Sequence, residues 1–343
     1  LPRVADGITV VDMRLLAGLG VLLVCLLAPV GVPARERAEL PICAVCGKPI
    51  ADHLFQTKGL SYHSDHFRCA HCDRPITGPY SEYAGKNYHT ECFENYVALK
   101  CSLCGALIHG EYLTDYWGNS YCYRHDGEAP VCDSCGRFIS DHTTGGGVRY
   151  DDGRFVCNLC RPKSITDVDE ILELVHEVAQ RMATFGMNVD YNGVKIHLVG
   201  RDDMQKLSGH HSDGLRGFTD YREDFRVFGK SKNRRMDMYL LYGMPRMELV
   251  STIAHELGHV WQFNHGRFRN DRLWAEGSCN YAAYLVLGQY PGREGSFFRT
   301  SLTRDEDSVY GEGLRRVKTL AEAEGTKRWL RYLTKNADFP AGY

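Results

Sequence analysis

Five consecutive residues in the last third of the chain, His255-Glu256-Leu257-Gly258-His259, have the types and spacing to do chemistry. On a helix, positions i and i+4 share a face one turn apart, so both imidazoles can reach one ion. Glu256 projects beside that face, placed to take a proton from a metal-activated water that attacks an amide carbonyl. Two His and a Glu are also compatible with an ordinary packed or surface helix. The flanks weigh against that. Val250, Ile253, Ala254, Leu257 and Val260 bury the helix, and a buried His/Glu/His trio needs partners.

A catalytic zinc site takes three protein ligands and leaves a fourth position open. His265 follows His259 at the spacing that metzincin peptidases use. However, Gln262 stands where that pattern needs Gly, and no Met follows Met247 to form the later turn. Glu276 lies in Trp274-Ala275-Glu276-Gly277, at the head of an apolar segment running through Tyr281 to Leu287. It completes a His2Glu set from a second helix. Asp271 competes for the role, and an exposed helix-end carboxylate is the plainer account of Glu276. Asn280, one turn on, is placed to orient a ligand from behind.

The other chemistry lies in residues 43–160. The chain has 14 Cys and 15 His, and most of the Cys form C-x-x-C pairs, which is metal rather than disulfide spacing. Cys43, Cys46, His63 and His66 make one four-ligand set, and Cys69, Cys72, His89 and Cys92 the next. The interval from Cys46 to His63 equals that from Cys72 to His89. Zinc favours such a closed tetrahedron of S and N. The two abutting sets resemble a LIM domain, with Phe67 where such domains place a core aromatic. A second block pairs Cys101 and Cys104 with Cys122 and His125, and Cys132 and Cys135 with Cys157 and Cys160. The gap between its halves, His125 to Cys132, is longer than in a LIM domain, so the block is LIM-like. Cys25 and Cys279 remain and read as apolar residues. Small modules of this kind fold because metal binding supplies what their core lacks, and they present surfaces to other proteins.

These ligands need scaffolds. Ile171, Leu172, Leu174, Val175, Val178, Ala179 and Met182 keep a helical period, Val194–Val199 reads as a short strand, and Ser208–Gly217 as a loop. Met236–Tyr242 is strand-like, and Pro245 opens the helix of His255. The expected fold is α+β: a LIM domain (35–98) and a LIM-like double zinc module (99–163), both small and β-rich. A mainly helical zincin-type peptidase domain with a small sheet (164–343) follows the linker Arg161-Pro162-Lys163-Ser164. A length of 343 residues accommodates several domains. With 43% hydrophobic and 24% charged residues, a folded core is expected. The 41 Lys+Arg against 43 Asp+Glu, net −2, exclude nucleic-acid binding driven by bulk charge.

Residues 1–34 read as an address. Arg14 precedes the apolar Leu15–Val32, and Val32 and Ala34 suit a cleavage site before Arg35, Glu36 and Arg37. This is signal-peptide grammar, with an uncleaved signal anchor as the alternative. Met13 is a candidate initiator, and Val24 before Cys25 argues against a lipoprotein anchor. The expectation is a secreted, periplasmic or extracellular protein, membrane-anchored if the segment is kept and cytoplasmic if it is not a signal. An oxidising compartment stands in tension with so many thiols; thiolates held by zinc are less available to oxidise, and the tension stays open.

The order LIM block, LIM-like block, HExxH resembles the DA-one family, LIM-containing zinc peptidases known as ubiquitin-activated regulators of plant organ size. Leu241-Tyr242-Gly243-Met244-Pro245-Arg246 is similar to that family's strand-to-helix lead-in. Glu276-Gly277 with Cys279 resembles its second-helix motif, and Val309-Tyr310-Gly311-Glu312-Gly313 its C-terminal segment. The likeness covers roughly residues 43–340. The resemblance implies His255, His259 and Glu276 as zinc ligands and Glu256 as general base, with Tyr242 and Tyr310 as candidates for holding the developing oxyanion. Plant members carry ubiquitin-interacting helices ahead of the LIM domain. Arg35 to Ile42 is too short for them, so activation by ubiquitin is not carried over. The expected protein is a zinc endopeptidase with about five ions, four closed and one open. Its LIM modules recruit or position protein substrates or partners. The rival is a non-catalytic LIM scaffold with a pseudo-peptidase domain.

Overall fold

The computed structural model of the chain describes residues 9–11, 40–209, 214–225, 232–265, 271–336 and 338–339. The apolar address segment Leu15–Val32 lies outside them. The chain divides into two compact units: Thr9–Thr114 with Asn119–Asp126, and Asp115–Gly118 with Gly127–Tyr343.

The first unit is built of short strands: β1 (Thr9–Val11), β2 (Leu54–Thr57), β3 (Leu60–His63), β4 (Tyr80–Tyr83), β5 (Lys86–His89), β6 (Tyr112–Thr114) and β7 (Ser120–Cys122). β2/β3 and β4/β5 are antiparallel hairpins, β1-β6-β7 form a sheet, and helix α1 (Thr90–Tyr96) follows β5. One small core carries the second ligand set, with Phe67, Ile76 and Tyr88 buried alongside Cys69 and Cys92. Phe67 stacks on Phe55 at 4.7 Å and meets Tyr80 at 4.9 Å, the place expected of a core aromatic.

The same turn recurs at four of the five C-x-x-C pairs, all but Cys157 and Cys160. The N–H of the residue after the second Cys bonds the carbonyl of the first: Gly47 to Cys43, Asp73 to Cys69, Gly105 to Cys101, Gly136 to Cys132, at 2.8–2.9 Å. Each of these residues has φ between 55° and 71°. Glycine enters that region without strain, and Asp is among the few side chains that tolerate it.

In the second unit a short helix α2 (Asp141–Thr144) precedes the hairpin of β8 (Gly147–Arg149) and β9 (Phe155–Cys157). Next come α3 (Val168–Ala183), β10 (Val194–Val199), α4 (Arg201–Ser208), β11 (Gly217–Phe225) and β12 (Lys232–Leu241). The helices α5 (Arg246–Asn264), α6 (Arg272–Leu287), α7 (Arg293–Arg304), α8 (Tyr310–Glu324) and α9 (Thr326–Lys335) complete it. Asp167 caps α3 by accepting from the N–H groups of Asp169 and Glu170. The apolar period of α3 is buried as expected except at Leu172, which is exposed. The strands form one sheet in the order β10-β12-β11, parallel then antiparallel. β11 was not anticipated; only a loop ending at Gly217 was. Among the described residues, then, small hairpins with Cys/His clusters precede a mostly helical region with one small sheet, an α+β arrangement.

The unit boundary differs from the expected domain boundary at 163/164. It falls inside the LIM-like block, putting Cys101, Cys104, Cys122 and His125 in the first unit and Cys132, Cys135, Cys157 and Cys160 in the second. The reason is a set of long-range contacts to the link between β12 and α5. Ser164 bridges to Pro245, Ile165 N–H bonds the Met244 carbonyl at 3.1 Å, and Arg154 donates to the Tyr242 carbonyl at 2.8 Å.

Candidate metal centre

The structure gathers four Cys/His sets: Cys43/Cys46/His63/His66, Cys69/Cys72/His89/Cys92, Cys101/Cys104/Cys122/His125 and Cys132/Cys135/Cys157/Cys160. In each, the ligand atoms lie within 4.8 Å of one another, and every described cysteine is a free thiol. In each set at least one cysteine is shifted toward the thiolate, the form that binds metal, while burial and neighbouring cysteines push others such as Cys92 and Cys122 up. Arg74 pulls Cys72 down to about 6. His125 chiefly does the same for Cys104, helped by the Arg124 guanidinium 2.9 Å from its sulfur. Burial pushes Cys43 up, but the backbone N–H groups and His66 around it win and leave it at about 5. Four-ligand S/N sets of this kind suit structural zinc.

A fifth cluster sits where α5 crosses α6. Nε2 of His255, Nε2 of His259 and Oε2 of Glu276 are mutually 3.2 Å apart. Bonds of about 2.0–2.1 Å to a tetrahedral zinc set ligand atoms about 3.3 Å apart, so this equilateral triangle has the size one ion requires. Cys279 also lies within 4.8 Å of both imidazoles. Its sulfur, however, is 3.5 Å from Nδ1 of His259, the opposite ring nitrogen. A single imidazole presents only one edge to an ion, so Glu276 completes the Nε2 triangle and Cys279 stands behind it.

The ring nitrogens facing away are both engaged. His255 Nδ1 lies 2.7 Å from Asn280 Oδ1, and the Asn280 amide donates to the Tyr310 carbonyl at 3.1 Å. Gln262 Nε2 donates to the Ala275 carbonyl at 2.9 Å and to the Cys279 sulfur at 3.3 Å. Such partners fix the tautomer and leave Nε2 free for metal. Close helix packing makes the arrangement possible. A Cβ on Gly258 would stand 2.9 Å from the Cys279 sulfur, and one on Gly277 would stand 2.3 Å from the Gly313 carbonyl carbon. The glycines of the two motifs are therefore contact points of α5 with α6 and of α6 with α8.

Burial opposes protonation of His259, yet Cys279 and Glu276 override it and raise the imidazole well above its ordinary value. Burial also works against the Glu276 carboxylate, but His259 and His255 hold it far below its usual range. Glu256, 3% exposed, faces another way. Its Oε2 accepts from Thr219 of β11 at 2.8 Å, and burial raises its pKa against the pull of the two imidazoles. A Cβ on Gly217 would come 3.2 Å from its Oε1, so β11 runs close past this carboxyl.

Two earlier candidates have other work. Asp271 caps α6, accepting from the Trp274 N–H at 3.2 Å. His265 ends α5, its ring stacked on Trp261 at 4.0 Å and its Nδ1 2.8 Å from the Trp261 carbonyl. Reading Cys279 as merely apolar needs correction: it is buried, but its sulfur touches His259. Thr219 was missed altogether, because nothing marked β11 as a strand.

Comparison with known proteins adds the following. The LIM domain family matches residues 43–84. Protein DA1-related 2 of Arabidopsis thaliana is 26% identical over an alignment covering 87% of this chain and 64% of that protein. Protein DA1 of the same plant is 24% identical over 87% and 63%. LIM domain-containing protein HDR3 of Oryza sativa subsp. japonica is 25% identical over 91% and 76%.

The chain is similar to the DA1-like LIM-domain proteins.

It spans just under two thirds of the length of the two Arabidopsis relatives. The two tyrosines that the DA1-like resemblance singled out are placed differently. Tyr310 opens α8 with its ring 6.1 Å from that of His255, and burial followed by Glu276 raises its hydroxyl pKa. Tyr242 is 48% exposed just past β12, and its backbone is what the structure engages, bonding Val199 and Arg154.

Proposed function

We propose that this DA1-like chain is a zinc-dependent endopeptidase. The observation that carries the reading is the 3.2 Å triangle of His255 Nε2, His259 Nε2 and Glu276 Oε2, on rigid helices, with the Glu256 carboxyl on the same turn of α5. A zinc ion held by those three atoms would supply Lewis-acid activation of a water and of the scissile carbonyl. Glu256 takes the proton from the attacking water and returns it to the departing amine, a role suited to a carboxyl whose pKa burial has raised. Asn280 and Cys279 hold the two imidazoles in the ligating tautomer. Tyr310 is the tyrosine near enough to serve the developing oxyanion.

β11 ends the sheet order β10-β12-β11 and passes Glu256, so an extended peptide can add to it as a further strand. That mode reads backbone and accepts chain on both sides of the cut, which favours an endopeptidase. The matched LIM domain serves as a protein-interaction module that brings substrate or partner.

The test is hydrolysis of a proteome-derived peptide mixture by the wild-type chain and by Glu256→Gln, with metal measured in both. Wild-type cleavage that falls by about 10²–10⁴ in the variant, at equal zinc, supports the role of Glu256. Equal cleavage removes Glu256 as the base. No cleavage by either, at full zinc, favours the scaffold reading.

A further inference from the structure

The four-cysteine set Cys132/Cys135/Cys157/Cys160 differs from the other three in what surrounds it. All four of its residues are buried, and it lies in the same compact unit as His255. The turn between Cys132 and Cys135 carries Asp133. One carboxylate oxygen of Asp133 accepts from the Phe155 N–H at 2.7 Å, and the other from Arg201, the first residue of α4, at 3.2 Å. Its backbone carbonyl accepts from Arg216 at 3.2 Å.

Arg216 is the joint. Its Nε donates at 2.7 Å to Glu248, which sits in the first turn of α5 and is 6% exposed. Its own carbonyl accepts from the Leu241 N–H at 2.9 Å, and the next residue, Gly217, begins β11. One guanidinium thus connects the cysteine turn, the start of the His255 helix and the start of the strand that bonds Glu256. A second strap runs in parallel. Arg154, held by Asp152 at 2.8 Å, donates to the Tyr242 carbonyl, and the Tyr150 ring packs against Gly243 in the link between β12 and α5.

Glu248 precedes His255 by seven residues, about 10.5 Å along a helix that transmits rotation and shift as a rigid body. We infer that the four-cysteine site is a positioning element for the His255–His259–Glu276 centre, acting through Arg216 on α5 and β11. Metal held by the four cysteines keeps the Asp133 turn in place, and the turn keeps the helix and the strand in register. Arg216 and Glu248 are accordingly positioning residues. The consequence for turnover rests on the peptidase reading, whereas the coupling itself does not.

The experiment compares the full-length wild type with Arg216→Met, Arg216→Lys, Cys157→Ser and, as a control in the other unit, Cys69→Ser. Zinc content, hydrogen exchange and peptide hydrolysis are read for each. Arg216→Met is expected to keep the wild-type zinc content, raise exchange in the first turn of α5 and in β11 about tenfold, and leave α6 and α8 unchanged. Its kcat falls by about tenfold or more, as small misplacements of a catalytic group do. Arg216→Lys recovers part of both effects. Cys157→Ser loses one zinc and reproduces the exchange pattern, while Cys69→Ser loses zinc from its own module without touching α5 or β11. Unchanged exchange at α5 and β11 in Arg216→Met overturns the inference, whatever becomes of Cys157→Ser. If the wild type hydrolyses nothing, the peptidase reading fails, and the exchange pattern still decides the coupling.

Discussion

The first unit and the helical part of the second both gather metal-binding side chains, and they do so from opposite directions. Around Phe67 the ligands are themselves part of the core: Cys69 and Cys92 stand among its five buried residues. Turns hold them, and little else would bury them. On α5 and α6 the proposed ligands His255, His259 and Glu276 hang from helices whose other faces bury Leu249, Val250, Ile253, Leu257, Val260, Ala282 and Val286 in a large core. Where ligands make the core, metal and fold are one equilibrium. Where the core stands without them, metal can come and go over an intact scaffold, which is what an open coordination position demands.

The sharpest break of that contrast removes one ligand from each side. Cys69→Ser is expected to unfold its module, since structural zinc in peptides of this size contributes on the order of 10 kcal/mol. His259→Ala should abolish binding at the fifth site and leave the helical unit folded. Zinc stoichiometry with hydrogen exchange over 54–96 and 246–287 reads both. Protection retained around Phe67 in Cys69→Ser would mean that its core does not depend on the ion.

Packing gives a second, smaller test. Gly277→Ala forces a methyl to within 2.3 Å of the Gly313 carbonyl carbon, so α6 and α8 must separate. Overpacking of this kind typically destabilises by about 1–3 kcal/mol. Because Glu276 is the neighbouring residue, zinc affinity at the fifth site should fall with it. Gly47→Ala, in open space, should leave that site untouched despite its positive φ.

Sequence spacing made the ligands legible because coordination imposes it. Fixed intervals in C-x-x-C and His-x-x-x-His survive any change in the surrounding chain. The period of α3 was legible for a similar reason, since burial of one face repeats along the helix, and β10 was legible from the alternation Val194-Lys195-Ile196-His197-Leu198. β11 was not. Gly217-Phe218-Thr219-Asp220-Tyr221-Arg222-Glu223 has charged residues and a leading glycine, and such a segment becomes a strand only because β12 offers its edge. The second role of Cys279 was hidden too. A buried thiol and a thiol touching His259 look alike until α6 is rotated against α5. Nor could the cut through the LIM-like block be seen, because it depends on long-range contacts such as Arg154 to Tyr242.

The partners behind the imidazoles test the helical side more finely. Asn280→Ala and Cys279→Ala each free one Nδ1, and loss of such a partner commonly lowers metal affinity about 10–100-fold. Competition with a chelator at pH 7 measures it. Cys279→Ser keeps a small polar acceptor beside Nδ1 and should retain most of the affinity. Equal affinities for the Ser and Ala variants would make Cys279 a packing residue alone.

The smallest expected effect concerns the sheet that carries β11. Asp237 of β12 is buried between His197 at 2.8 Å and Arg235 at 2.7 Å. Burial works against its charge, but those two partners win and lower its pKa below 3.8. A carboxylate with a lowered native pKa stabilises the fold above its unfolded value and loses that contribution as pH falls through the native one. Asp237→Asn should therefore destabilise the second unit by about 1 kcal/mol at pH 7. The gap to wild type should hold down to about the ordinary carboxylate value and close only in stronger acid. Denaturant midpoints across pH 7 to 2.5 measure it. A gap that instead opened as the pH dropped would reverse the sign and overturn the assignment of the stabilising charge to Asp237.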